Sequence, residues 1–370
     1  MTDLDHDSRT RIGKVQTVLG LLDPAELGPT MMHEHLKFGT DDEGLGSLTY
    51  FKEPADPAAR AMAYAPVSQE KMWWIRYNFR DSQDNLMPAP AEVAATELAM
   101  LSDAGGRTLV DVTPRSCTTE LQKLVDFATE TKLNIISGAG FYIDGSYPPG
   151  ADVQHKSVEE LARGFVSDIV DGIGDSGVRC GILGELGCSY PLHDTERKVL
   201  MAAAIAQRET GVPITIHPGR NDASLHEISD VLAASGADLS RSVMGHMDRC
   251  GYDLATRRAL LDDGWCIEYD VFGMEGHYPA APAVAEGHLP NMPNDVGRIT
   301  EIRELIELGY RDQIVVGHDI HMKFQLARYG GWGYGHFLRT VVPLMHVYGI
   351  AQQDIDRMTI ETPRRLLTIV

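Results

Sequence analysis

Eight short apolar runs, each ending in polar or charged residues, constrain this 370-residue chain more than anything else in it. They are Thr30–Leu36, Arg107–Thr113, Leu133–Gly140, Val178–Glu185, Val212–His217, Ser242–His246, Trp265–Tyr269 and Gln313–Asp319. Runs of this length read as buried strands. Helical patterns lie between them, at Pro90–Ala104, Val158–Ile173, Asp194–Thr210, Ala223–Ser235, Asp253–Asp263 and Val296–Leu308. Gly105-Gly106 closes the first of these, and Gly211, Gly236, Gly264 and Gly309 follow others where a helix C-cap favours glycine. Strand–helix alternation repeated eight times predicts a parallel sheet closed as a (β/α)8 TIM barrel. An open doubly wound sheet would usually carry a glycine-rich phosphate loop after its first strand, and HEHLKFGT is not one.

The remaining segments decorate that barrel as one domain over residues 1–370. Residues 1–27 precede the first strand, and GKVQTVLGLL reads as a small capping hairpin. Residues 37–89, with Trp73, Trp74, Tyr77 and Phe79, and residues 270–295, rich in Pro, Gly and His, form long connections on the side where barrel enzymes build substrate pockets. The two tryptophans suit a pocket wall, a loop anchor or a contact between subunits. Phe337–Tyr348 and Gln353–Leu367 are expected to be helices packed outside the barrel.

Charge narrows the function classes. A formal net charge of −20 makes nucleic acid and anionic membranes poor partners. The start, MTDLDHDSRTRIGK, lacks an apolar signal region, and no apolar run approaches the length of a membrane span. Five cysteines without a CxxC fit a reducing cytosol better than a disulfide framework. A cytoplasmic protein is expected.

The chemistry lies at the C-terminal ends of the predicted strands. His33 and His35, two apart on the first strand, point to one side, and Glu34 between them points away. Strand four ends in Glu185, strand five in His217, strand six in His246 and strand eight in Asp319. Any one of these is unremarkable; His217 alone reads best as a satisfied core histidine. In a closed barrel, however, these ends converge on one face. Four imidazoles and two carboxylates gathered there make a site for two divalent metal ions, best suited to Zn2+.

The motifs HEH, GELG, TIH, GH and GHD on strands one, four, five, six and eight resemble the phosphotriesterase branch of the amidohydrolase superfamily. The longer segments GKVQTVLGLLDPAELGPTMMHEHL, KMWWIRYNFRDSQDNL, GHDIHMKFQLARYGGWGYGHF and ETPRRLL, together with GFY, resemble its phosphotriesterase-related, or resiniferatoxin-binding-like, members. The resemblance spans nearly the whole chain. It implies His33, His35 and Asp319 on the more buried metal, His217 and His246 on the more exposed one, and a carboxylate bridging both. The bridge is a carboxylated lysine in phosphotriesterases proper. Here it is Glu185, with no lysine between residues 157 and 197.

The implied activity is hydrolysis of an ester, lactone or amide bond in a small molecule, with a metal-bridging hydroxide as nucleophile and Asp319 as proton acceptor. Phosphotriesterase activity is a weaker alternative, and a non-catalytic small-ligand-binding protein is the rival from another class. Pairing of subunits into a homodimer is a further expectation of the resemblance. By family position Tyr142 polarises a substrate oxygen, with packing in its loop as the alternative. Arg220, Arg249, His321 and Lys323, one to four residues beyond metal ligands, are candidates for an anionic substrate group; the alternative is ion pairing to Asp248, Glu268 or Asp270. His318, next to Asp319, faces the other side and reads as structural. Cys188 reads as a buried thiol.

Overall fold

The computed structural model describes residues 10–36, 38, 51–114, 121–147, 150–250, 253–275 and 292–370. Parts of the expected N-terminal cap, of both long connections, and Cys117 lie outside them. Strands β1 (Val15–Thr17) and β2 (Gly20–Leu22) form the expected antiparallel hairpin. Eight parallel strands follow: β3 (Thr30–Glu34), β4 (Thr108–Asp111), β5 (Asn134–Ala139), β6 (Ile182–Gly187), β7 (Ile214–His217), β8 (Ser242–Met244), β9 (Cys266–Tyr269) and β10 (Ile314–Val316). Each pairs with the next in chain order. Beyond the ladder, Asp319 N–H donates to His33 O at 3.1 Å and His35 N–H donates to Ile320 O at 3.2 Å, so the last strand meets the first and the sheet comes round as a barrel.

Helices alternate with the strands: α1 (Ala91–Asp103), α2 (Leu121–Thr131), α3 (Val158–Val170), α4 (Asp194–Thr210), α5 (Asp222–Ala234), α6 (Leu254–Asp262) and α7 (Asp295–Glu307). Short polar side chains cap the starts of α3, α5, α6 and α7. Asn221 accepts from Ala223 N–H, Asp253 from Thr256 N–H, and Ser157 forms a reciprocal capping box with Glu160. At the other ends Gly211, Gly236, Gly264 and Gly309 all adopt positive φ, as the sequence predicts.

Three details differ from expectation. Helix α2 is not among the predicted helices. Strand β6 begins at Ile182 rather than Val178, because the backbone before it bonds elsewhere: Val178 O accepts from Ile173 N–H, and Cys180 N–H donates to Asp168 O. The C-terminal helices are not uniform either. Widened π-type turns span Phe337–Val341 and Arg357–Glu361, each just before a proline, Pro343 or Pro363. A proline without an N–H leaves one i−4 carbonyl unbonded, which favours such a widening.

Two layers of apolar side chains hold the barrel. The larger lies between sheet and helices. The smaller fills the interior with Met32, Val110, Ile136, Ile182, Val243, Cys266 and Val315, joined by Val15 and Leu27 from the N-terminal segment and by Leu366 and Leu367 from the tail. Both chain ends therefore plug one mouth. Buried Arg241 fastens that plug, donating to the carbonyls of Gly211, Arg365, Leu366 and Thr368 at 2.7–3.0 Å. Replacing it strands several buried carbonyls at once. Arg241→Ala is expected to cost about 2–4 kcal/mol, read as a lower urea midpoint at unchanged slope.

Candidate functional site

The opposite mouth collects the predicted residues. On β3, Met32 already packs in the barrel interior, yet His33 also faces inward. Strict alternation is broken there, and the β3–β4 register shifts between Met31 and Glu34. A second shift, between Leu183 and Leu186 in the β6–β7 pairing, brackets Glu185. Irregularities of this kind re-aim side chains at barrel rims. His246 and Asp319 both hold positive φ, 57° and 50°. For non-glycine residues this conformation is costly and clusters at functional sites.

Glu185 sits in the middle. Its Oε2 is 2.9 Å from His217 Nδ1, 3.4 Å from His33 Nε2 and 3.6 Å from His246 Nε2, and its Oε1 is 3.5 Å from His35 Nε2. Asp319 Oδ1 is 3.1 Å from His35 Nε2 and 3.9 Å from His33 Nε2. All six residues predicted as ligands thus meet in one cluster.

The outer nitrogens of the rings have partners of their own. Thr113 gives its only hydroxyl proton to Asp111 at 2.6 Å, so its oxygen accepts from His35 Nδ1 at 2.9 Å. His246 Nδ1 lies 2.7 Å from Asp270, and His33 Nδ1 lies between Glu268 at 3.3 Å and Asp270 at 3.4 Å. These contacts place the proton of each ring on Nδ1 and leave Nε2 for the centre, the arrangement that outer partners of metal-binding histidines impose. His217 is turned the other way. Its Nδ1 faces Glu185, and its Nε2 faces Tyr142 Oη and Arg249 Nη2, each at 2.9 Å.

Electrostatics follow this arrangement. Burial alone would raise the Glu185 carboxyl, but His217, His246 and His33 bring it well below the usual carboxylate range. Asp319 is likewise held low, against burial, by His321 and His35. Burial disfavours a charged His33, but Asp270, Glu185 and Glu268 outweigh it and raise its pKa well above the ordinary value. Burial and the Arg249 guanidinium pull His217 well down.

A divalent metal fits this donor set. His33 Nε2 is fully buried and has no hydrogen-bond partner, a cost that a bound cation would remove. Among the described residues, ligand atoms of His33, His35 and Glu185 lie within 4.8 Å of one another. So do those of Glu185, His217 and His246, and of His33, His246 and Asp270. Imidazole and carboxylate together suit zinc and similar ions.

Above the cluster opens a cavity of about 270 Å³. Tyr142, Arg220, Arg249 and His321 line it, as does Arg80, which is not among the cations expected from the sequence although it lies in the KMWWIRYNFRDSQDNL segment. Lys323 is placed differently from expectation. It does not line this cavity, and its ammonium is paired with Asp84 at 2.6 Å. The three carboxylates weighed as ion-pair partners have other bonds: Asp248 with Arg298, Glu268 with His33, Asp270 with His246. His318 is structural, as expected. Its Nε2 accepts from Phe337 N–H, so its Nδ1 proton goes to Glu34. Cys188 is buried, and burial pushes its thiol well above the ordinary range. Trp73 is exposed, Trp74 packs on an apolar cluster, and neither lines the cavity.

The chain belongs to the phosphotriesterase family, whose sequence profile it matches over residues 13–367. It is 39% identical to N-acetyltaurine hydrolase of Bos taurus, over 96% of this chain and 98% of that protein. It is 36% identical to a phosphotriesterase-related protein of Nematostella vectensis, over 96% of this chain and 99% of that one. Among solved structures it resembles a resiniferatoxin-binding protein from Rhodobacter sphaeroides, with a TM-score of 0.88 and 29% identity over 96% of this chain and 95% of that chain. No helix among the described residues is long and apolar enough to cross a membrane.

The depressed carboxyls have a consequence for stability. Because Glu185 and Asp319 titrate lower in the folded chain than in the unfolded one, the unfolded chain takes up protons first as the pH falls. Their contribution is full above the ordinary carboxyl range, near pH 4, and is lost on acidification through the folded values. Chelator-treated protein is therefore expected to lose urea resistance steeply below about pH 4, and Glu185→Gln to flatten that dependence.

Proposed function

We propose that this phosphotriesterase-family member hydrolyses the amide bond of a small N-acyl compound whose amine portion carries a carboxylate or sulfonate. It does so with two divalent ions, zinc by donor type, held by His33, His35, Glu185, His217, His246 and Asp319. The observation that carries this reading is the guanidinium of Arg249, 2.9 Å from His217 Nε2, on the wall of the same cavity that Glu185 and Asp319 line. A cation at the mouth of a carboxylate-rich centre suits a substrate with an acid group near the scissile bond. Relatives named N-acetyltaurine hydrolase, whose named substrate is such a compound, support the choice of an amide over an ester or lactone.

When bound, the cations supply an activated water and draw electron density from the substrate carbonyl. The protein groups do the rest. Arg249 and Arg220 hold the acid group, and the Tyr142 hydroxyl, 2.9 Å from His217, stands where it can donate to the amide oxygen. Asp319 takes the proton of the attacking water and passes it on to the leaving nitrogen. The water oxygen bonds to the acyl carbon, the C–N bond breaks, and a carboxylic acid and an amine leave. Outer partners keep the rings in register throughout: Thr113 and Asp111 for His35, Asp270 for His246.

Zinc-loaded protein is expected to hydrolyse N-acetyltaurine and to carry two equivalents of metal; no turnover of any N-acetylated amino acid or amino sulfonate would refute the reading. Asp319→Asn should lower kcat by about 10²–10⁴-fold. Arg249→Ala should raise KM for N-acetyltaurine about tenfold or more while changing KM for an uncharged N-acetyl amide much less. Equal changes on both would exclude Arg249 as the anion contact.

A further inference from the structure

The cavity has two unlike walls. Tyr142, Arg220 and Arg249 make one polar and cationic. Phe79, Leu86, Val271, Met274, Met292 and Met322 make the other, and all six belong to an apolar cluster separate from both layers of the barrel core. Polar contacts behind this wall hold it in place. Buried Asn85 donates to Phe79 O at 2.9 Å and to Met322 Sδ at 3.3 Å, and its Oδ1 accepts from Phe324 N–H at 2.8 Å. Phe324 stacks on Phe79 with ring centroids 5.7 Å apart. Across the wall, fully buried Arg298 donates to Met274 O and to Asp248, and Asp248 accepts from Val271 N–H.

We infer that this wall is an acyl-chain subsite, and that the substrates are N-acyl amino acids or amino sulfonates whose acyl group is a straight saturated chain of about four to eight carbons. The inference rests on the function proposed above, and it fixes which end of the substrate lies where. The acid group belongs beside Arg220 and Arg249, next to Tyr142, because the six apolar side chains offer it no donor; Arg80 also lines the cavity and is left to the rim. The acyl group, attached across the scissile bond, is then directed at the apolar side. An acetyl methyl would cover little of that surface. A cavity of about 270 Å³ has room for several methylenes beyond acetyl. Three methionines suit a flexible chain, since their unbranched side chains repack around it.

The test uses zinc-loaded full-length protein and a series of acetyl-, butanoyl-, hexanoyl- and octanoyl-taurine. The expected result is a rise in kcat/KM of about two- to fourfold per methylene up to hexanoyl. Met274→Trp, which fills the wall, should cut the hexanoyl-to-acetyl ratio of kcat/KM by about tenfold or more. A ratio that is flat or falls with chain length overturns the subsite and leaves the amidase reading standing. If no acyl-taurine is turned over, the amidase reading fails, and inhibitor binding decides the subsite separately. Straight-chain carboxylates from acetate to octanoate, measured by calorimetry on wild-type protein, should bind more tightly with length. Affinity independent of length overturns the subsite.

Discussion

One buried carboxylate joins the two ends of the barrel. Glu34 accepts from His318 Nδ1, from His318 N–H and from Ile320 N–H, and so ties β3 to the chain just past β10. Its neighbours follow from that bond. With Glu34 turned outward to the seam, His33 and His35 turn inward. With His318 turned outward to meet it, Asp319 turns inward. Gly317 allows the close approach, since a Cβ there would stand 2.7 Å from His33 O. Three of the six residues of the cluster owe their direction to this seam. The strained φ of Asp319 is held by it too, through the Asp319 N–H bond to His33 O.

The rest of the site is an exercise in burying charge without leaving it alone. Ionised groups removed from water are tolerated only with close partners. Here carboxylates and imidazoles alternate outward from Glu185, through His33 and His246, to Glu268 and Asp270. Burial pushes Glu268 up to about 7 even with His33 beside it. The outermost members also shape the cavity. Asp248 neutralises Arg298, and that pair anchors the backbone of Val271 and Met274 at the apolar wall. The geometry of the cluster and the shape of the cavity are thus linked through buried side chains behind both.

Much of this architecture is legible in the amino-acid sequence. Strand–helix alternation locates all eight barrel strands, and α4 has the same ends in sequence and structure, because an acidic first turn and Gly211 mark them. Helix α2 escapes the pattern because its end lacks that mark: Lys132, not glycine, takes the left-handed conformation just past it. Strand β6 starts later than its apolar run because Val178 and Cys180 have the side chains of a strand, while their backbone groups bond to the end of α3 and the turn after it. Lys323 has the spacing of a cavity cation relative to Asp319. Its partner, Asp84, lies 239 residues away and leaves no local trace.

By itself the sequence determined which imidazoles and carboxylates stand at the strand ends, because the two-residue period of a strand and the convergence of a parallel barrel are local rules repeated eight times. Glu34 opposite to His33 and His35 follows from the same period. Only the tertiary structure decided which ring nitrogen faces the centre, which cations reach the cavity and which side of it is apolar. Those depend on Thr113 meeting His35, Asp270 meeting His246, and Asn85 meeting Phe324, contacts between residues 24 to 239 positions apart. Periodicity constrains the direction of a side chain along its own strand, but it carries no information on what stands opposite across the barrel.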